Sequence, residues 1–167
     1  MNSNIAYIGV YSPFILFIIS VFLLRNHTKY LNYFVAGFIL NNLLNIILKL
    51  VFKEPRPTND YKAIEIGVAN GARIGFDKFG MPSGHAQNCA FCLAFITMTL
   101  NSPIIFTIYA IITLISCAQR YIFNNHTASQ IIIGLLTGTF TGFIAYQIAN
   151  KAIKGNIKFK KDDDGPL

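Results

Sequence analysis

The chain has 167 residues, enough for one domain, and 53% of them are hydrophobic against 13% charged. With a mean hydropathy of +0.48, that composition excludes an ordinary water-soluble globule and points to a polytopic α-helical membrane protein. A net charge of +7 would suit a nucleic-acid binder, but the cations sit beside apolar runs, where they act as membrane-surface charges, so no nucleic-acid partner is expected.

Five apolar runs follow in chain order: Ile5 to Leu24, Leu31 to Phe52, Pro82 to Leu100, Ile104 to Ala118, and Ile131 to Ala149. A helix needs about 20 mostly apolar residues to cross the hydrocarbon, with a range of roughly 17 to 25. The runs therefore predict an all-α bundle of about five transmembrane helices. Nothing basic precedes Ile5 and its run ends in Leu-Leu-Arg, so the first run reads as a retained helix, not a cleaved signal. Residues 1–150 read as a single membrane-embedded domain. Residues 151–167 read as a tail, basic from Lys151 to Lys161 and then acidic at Asp162–Asp164. With five helices, the tail shares a side with the Arg25–Lys29 turn, and that side is expected to be cytoplasmic. The segments 53–80 and 119–126 then share the opposite face. Cys89, Cys92 and Cys117 lie within predicted helices. The Cys-x-x-Cys pair has no second pair and no histidine at zinc spacing, so all three read as small buried thiols.

Polar residues inside apolar helices are costly, and three clusters of them lie at helix ends. The first is Lys49 followed by "KEPRP": Pro55 and Pro57 stop the helix and hold Arg56 in a stiff, extended segment. A lysine at a helix end also snorkels without any function. The second is Pro82-Ser83-Gly84-His85, where Ser83 can cap a helix and the free N–H groups beyond it can hold an anion. The same four residues could be no more than a capped helix. The third joins Arg120 to His126 through a turn at Asn124 and Asn125, with Gln130 four residues on and so on the same helix face. A lone interfacial histidine is often structural, and His27 is read that way.

Taken together, the clusters offer two histidines, three strong cations, a hydroxyl and a helix N-terminus on one face. That set suits phosphoryl transfer, in which catalysis is mostly positioning and charge stabilisation. Glu54, Asp60, Glu65 and Asp77 are scattered through one loop, so no metal and no cofactor are expected.

The spacing Lys49-x6-Arg56-Pro57, Pro82-Ser83-Gly84-His85 and Arg120-x5-His126 resembles the three signature motifs of the type-2 phosphatidic acid phosphatase superfamily. The resemblance runs from about Leu43 to Gly138. It implies His126 as the nucleophile that forms a phosphohistidine and His85 as the general acid. It implies Lys49, Arg56, Ser83, Gly84 and Arg120 as the phosphate cradle, without a metal. Gln119 stands where the family usually has Ser. Gln130 stands where it usually has an Asp that orients the nucleophile. "KEPRP", "FGMPSGHAQ" and "NHTASQ" are similar to the dolichyldiphosphatase branch, where Gln is the normal residue at that place, although the branch usually has Ser where Gly84 stands.

The expected function is a membrane lipid phosphatase acting on a lipid phosphate or diphosphate, a polyprenyl diphosphate by preference. Phosphatidate is the alternative substrate. A structural membrane protein that binds anionic headgroups is the alternative class, and oligomeric state is left open. Gln130, acting on the second imidazole nitrogen, is expected to tolerate replacement by Asp.

Overall fold

A computed structural model describes residues 3–57 and 78–153. The tail beyond Ile153 and the loop carboxylates Asp60, Glu65 and Asp77 lie outside the described residues. The described chain forms an all-α membrane bundle of five helices: α1 (Ser3–Leu24), α2 (Thr28–Phe52), α3 (Gly84–Leu100), α4 (Pro103–Ile122) and α5 (Ala128–Ala152). Each expected run is found. The fourth continues four residues past Ala118, because Gln119, Arg120 and Tyr121 carry nothing that stops a helix. Four of the five are long and apolar enough to cross a membrane, and α3, with 17 residues, falls just short of them.

That shortfall follows from where α3 lies. It is the central helix, packed against each of the other four, with Phe91, Cys92, Phe95 and Ile96 fully buried. The outer helices turn Ile18, Val51, Leu114, Leu136 and Phe140 outward, an apolar belt suited to lipid. Phe17, Phe34 and Phe38 close over Phe91 and Phe95 to form the aromatic core between α1, α2 and α3. Cys89 and Cys92 are buried thiols within it, as expected.

The contact between α3 and α5 is made by glycine. Gly134, Gly138 and Gly142 present one edge of α5 to Ser83, Gln87 and Phe91, the matching edge of the chain that becomes α3. A Cβ on Gly134 would lie 2.6 Å from the Ser83 carbonyl oxygen, one on Gly142 would lie 2.7 Å from that of Phe91, and one on Gly138 would run into the Gln87 carbonyl. Small residues four apart let membrane helices approach backbone to backbone, where the hydrophobic effect gives no help. This Gly-x3-Gly-x3-Gly ladder is visible in the sequence as small residues recurring every four positions.

Two polar seams complete the bundle. Pro13 lacks the N–H that would bond the Gly9 carbonyl, and Ser12 Oγ and Ser116 Oγ donate to it instead, at 2.8 and 3.3 Å. Ser12 Oγ and Ser116 Oγ lie 2.6 Å apart, and Ser20 meets Tyr109 at 2.9 Å, which ties α1 to α4. Between α2 and α3, Asn45 donates to Gln87, Gln87 to Asn41, Asn41 to Asn88, and Asn88 to Asn42, all within 2.7–2.9 Å. Thr141 of α5 joins the same knot through Asn41. Alternating helix direction places the end of α2, the start of α3, the end of α4 and the start of α5 at one end of the bundle.

Candidate active site

At that end the chain leaves α2 through Lys53, whose left-handed backbone (φ 48°) lets its N–H close on the Lys49 carbonyl. The segment then runs extended. Pro55 bridges antiparallel to Phe79, and Gly80 N–H donates to the Glu54 carbonyl at 2.7 Å. The proline-stiffened stretch is thereby fixed against the entrance to α3, with Arg56 buried. A Cβ on Gly80 would collide with the Gln130 amide, so only glycine lets the two segments close this far.

Ser83 occupies the N-cap position of α3 but makes no side-chain cap, which corrects one expectation. Its N–H donates to the Gln130 carbonyl at 3.0 Å, joining α3 to α5. Its hydroxyl is buried and has no hydrogen-bond partner among the described residues. An unsatisfied buried hydroxyl is costly, and an arriving acceptor would relieve that cost.

The loop carrying His126 is tied to α4 by one carbonyl. Arg120 O accepts from the N–H groups of Asn125 and His126, at 3.0 and 3.2 Å, around Asn124 in a left-handed conformation (φ 50°). His126 is 3% exposed and precedes Thr127, the N-cap of α5. It is therefore not on a helix face shared with Gln130, as the spacing implied. A hydrogen bond aligns the two side chains: His126 Nδ1 lies 3.2 Å from Gln130 Oε1.

The other ring nitrogen, Nε2, lies 3.0 Å from Arg56 Nη1, which also donates to the Asn125 carbonyl at 3.0 Å. Guanidinium can only donate, so Nε2 is the acceptor and Nδ1 carries the proton. Burial lowers the imidazole pKa to about 3, with the nearby Arg56 charge next in weight, and Lys49 and Arg120 also disfavour the cation, while the bond to Gln130 works in the opposite direction. At neutral pH His126 is uncharged, with the lone pair of Nε2 facing arginine.

Gln130 is fully buried, and all four of its amide valences are used. Its Oε1 accepts from His126 Nδ1 and, in a capping box, from Thr127 N–H at 3.2 Å. Its Nε2 donates to Glu54 Oε1 at 2.8 Å and to the Pro55 carbonyl at 2.9 Å. These partners fix which way the amide points. They also set the terms for the expectation that Asp is tolerated at 130: a carboxylate reaching the position of Nε2 would face a second carboxylate and a carbonyl oxygen, and the shorter Asp would have to hold Nδ1 from farther back. Glu54 was missed from the sequence, where it reads as one more loop carboxylate. No local pattern pairs it with a residue 76 positions away.

Lys49, Gly84 and His85 border a cavity of about 470 Å³ between α1, α2 and α3. They line its polar end and Phe14, Phe17 and Phe38 its apolar end, and Phe14 is exposed on the outside of the bundle. His85 Nε2 bonds the Val10 carbonyl of α1 at 3.0 Å. The structure thus brings Arg56, His126 and Gln130 into direct contact. It sets Lys49, Gly84 and His85 around the cavity, and Arg120 enters through its carbonyl and its charge. Among the described residues, no group of three or more His, Cys, Asp or Glu is placed to hold a metal ion.

A family model described as the PAP2 superfamily matches residues 30–154. The chain is 28% identical to the dolichyldiphosphatase of Saccharomyces cerevisiae over 131 residues, covering 67% of this chain and 48% of that protein. It is 25% identical over 127 residues to the palmitoyl-protein thioesterase-dolichyl pyrophosphate phosphatase fusion 1 of Schizosaccharomyces pombe, covering 70% of this chain and 18% of that one. It is 27% identical over 143 residues to the chloroplastic lipid phosphate phosphatase epsilon 1 of Arabidopsis thaliana, covering 81% and 46%. The chain therefore spans less than half the length of each of these relatives. No solved structure matches it significantly.

Proposed function

The chain belongs to the PAP2 superfamily, and from that premise we propose that it hydrolyses a lipid phosphate or diphosphate through a phosphohistidine on His126, without a metal ion. A polyprenyl diphosphate is the favoured substrate, in keeping with the two dolichyl-named relatives. The observation that carries this reading is the 3.0 Å contact between Arg56 Nη1 and His126 Nε2. It puts the lone pair of a neutral imidazole beside a guanidinium suited to phosphoryl oxygens.

An entering phosphate takes the Arg56 N–H groups, and Nε2 is freed toward phosphorus. Nε2 forms the new N–P bond as the P–O bond to the lipid portion breaks, and His85, on the cavity wall, protonates the departing oxygen. The Nδ1 proton stays on its bond to Gln130, which holds the tautomer through the step. Lys49, Arg56, Arg120, the N–H groups at the start of α3 and the Ser83 hydroxyl stabilise the charge on the three equatorial oxygens. In the second half a water attacks phosphorus and passes its proton to His85. The N–P bond breaks and inorganic phosphate leaves. The apolar end of the cavity, floored by Phe17 and Phe38, takes the start of the lipid tail.

Phosphate release from polyprenyl diphosphate, polyprenyl monophosphate and phosphatidate, measured in detergent with EDTA, tests the proposal. Turnover should persist in EDTA, with an acid-labile, alkali-stable phosphate label on His126. Loss in EDTA that added Mg²⁺ restores, or a label elsewhere, overturns the mechanism. Faster release from phosphatidate moves the substrate to the phospholipid class, in keeping with the name of the Arabidopsis relative. Binding of anionic vesicles with no release from any lipid would leave a structural headgroup-binding role.

A further inference from the structure

Gln130 carries more contacts than helix capping requires. A capping box uses only its Oε1, on the Thr127 N–H. The amide nitrogen is aimed the other way, at Glu54 Oε1 (2.8 Å) and the Pro55 carbonyl (2.9 Å). The result is a continuous chain from Glu54 carboxylate to Gln130 amide to His126 Nδ1, with Nε2 at its far end against Arg56. We propose that Glu54 is the positioning carboxylate of this site, acting on His126 through the amide of Gln130.

The chemistry follows from the direction of each bond. A carboxylate accepting from Gln130 Nε2–H polarises the amide, placing more negative charge on Oε1 and strengthening its hold on Nδ1–H. The imidazole then keeps its lone pair on Nε2, and positive charge appearing on the ring during attack meets a negative end two bonds removed. The backbone supports the arrangement, since Gly80 donates to the Glu54 carbonyl at 2.7 Å and leaves room for the amide. It also accounts for glutamine at 130: a carboxylate there would oppose Glu54, whereas the amide bridges an anion to a ring N–H.

The inference rests on the reading of His126 as the group that accepts phosphate, so its test has one arm that needs no turnover. On the full chain in detergent, Glu54→Gln keeps an acceptor for the Gln130 amide and removes only the charge. It should lower kcat by a factor on the order of 10, with KM within about 2-fold, the usual scale for losing an outer partner. Gln130→Glu alone, which sets two carboxylates together, should be slower still. The exchange Glu54→Gln with Gln130→Glu restores one carboxylate and one amide in reversed order, with the Pro55 carbonyl still facing the carboxylate, and should raise kcat at least about 3-fold above that of Gln130→Glu alone. In the second arm, ¹⁵N-histidine NMR should show His126 protonated on Nδ1 in the wild type, with that preference weakened in Glu54→Ala. A wild-type kcat in both Glu54 variants, or an exchange no faster than Gln130→Glu, overturns the inference. If the wild type releases no phosphate at all, the functional reading fails, and an unchanged His126 tautomer in Glu54→Ala would then defeat this inference separately.

Discussion

Against α5, helix α3 packs backbone to backbone over three glycines; against α1 and α2, its first turns leave a cavity of about 470 Å³. The closed side holds Ser83 to Gln130 and keeps the His126 loop in register with the Arg56 segment. The open side is lined by phenylalanines, with Lys49 and His85 at its polar end. A site that must hold a reacting nitrogen to a fraction of an ångström while admitting a bulky lipid divides these demands between the two sides of one helix.

The comparison breaks most completely at Gly138, where any Cβ meets the Gln87 carbonyl. Gly138→Val should eliminate folded, monodisperse protein in size-exclusion chromatography, because backbone cannot give way as a side chain would. Recovery of folded protein with wild-type turnover would show that the seam is not tight.

His126→Ala comes next and separates chemistry from packing. It should lower kcat by a factor of about 10³ or more while elution and thermal stability stay near wild type. Residual turnover above a tenth of wild type would remove His126 from the chemistry.

A pH profile then asks whether the closed side is as dry and cationic as the geometry makes it. An imidazole with the ordinary pKa of about 6.5 would be about 76% neutral at pH 7 and only about 3% neutral at pH 5, costing about 25-fold in kcat/KM between them. With its pKa held down to about 3 by burial and by Arg56, His126 stays neutral throughout that interval. Any fall due to this group should therefore stay under about 2-fold. A fall of about 25-fold that persists in variants of the other titrating groups would place water at His126.

The smallest effect is expected on the open side. A Cβ on Gly84 would meet Asn45 Oδ1 at 3.4 Å, an ordinary contact. Gly84→Ser should thus leave stability near wild type and turnover within about 2-fold, because the added atoms meet no hard contact at the cavity wall. A large loss would mean that bound phosphate uses the space the glycine leaves.

What the sequence reveals of this molecule follows from which interactions are local. The apolar runs predict all five helices to within a few residues, because bilayer thickness sets their length. The three motifs place their residues at one end of the bundle, because helix direction alternates. Spacing puts His126 on the fifth helix, yet its bond to Gln130 forms from outside that helix. Ser83 has the residue type of a cap, but its hydroxyl has no partner among the described residues. Glu54 was beyond reach for a different reason: its pairing with Gln130 depends on two segments brought together by Gly80, and neither segment shows that alone. The glycine ladder of α5 was legible in principle, as small residues recurring every four positions.

The amide knot between α2 and α3 has a consequence for how the chain is built. Gln87 and Asn88 would each be left unsatisfied if α3 entered the hydrocarbon alone, at a cost an isolated 17-residue helix is poorly placed to bear. Their partners Asn41, Asn42 and Asn45 lie on α2, which is synthesised first and is apolar enough to insert unaided. Inserted in chain order, α3 would meet donors and acceptors already in place on α2, and the α5 glycines, which follow it in the chain, would close over a helix whose polar groups are paired. Chain order would then spare the 17-residue helix from facing lipid alone.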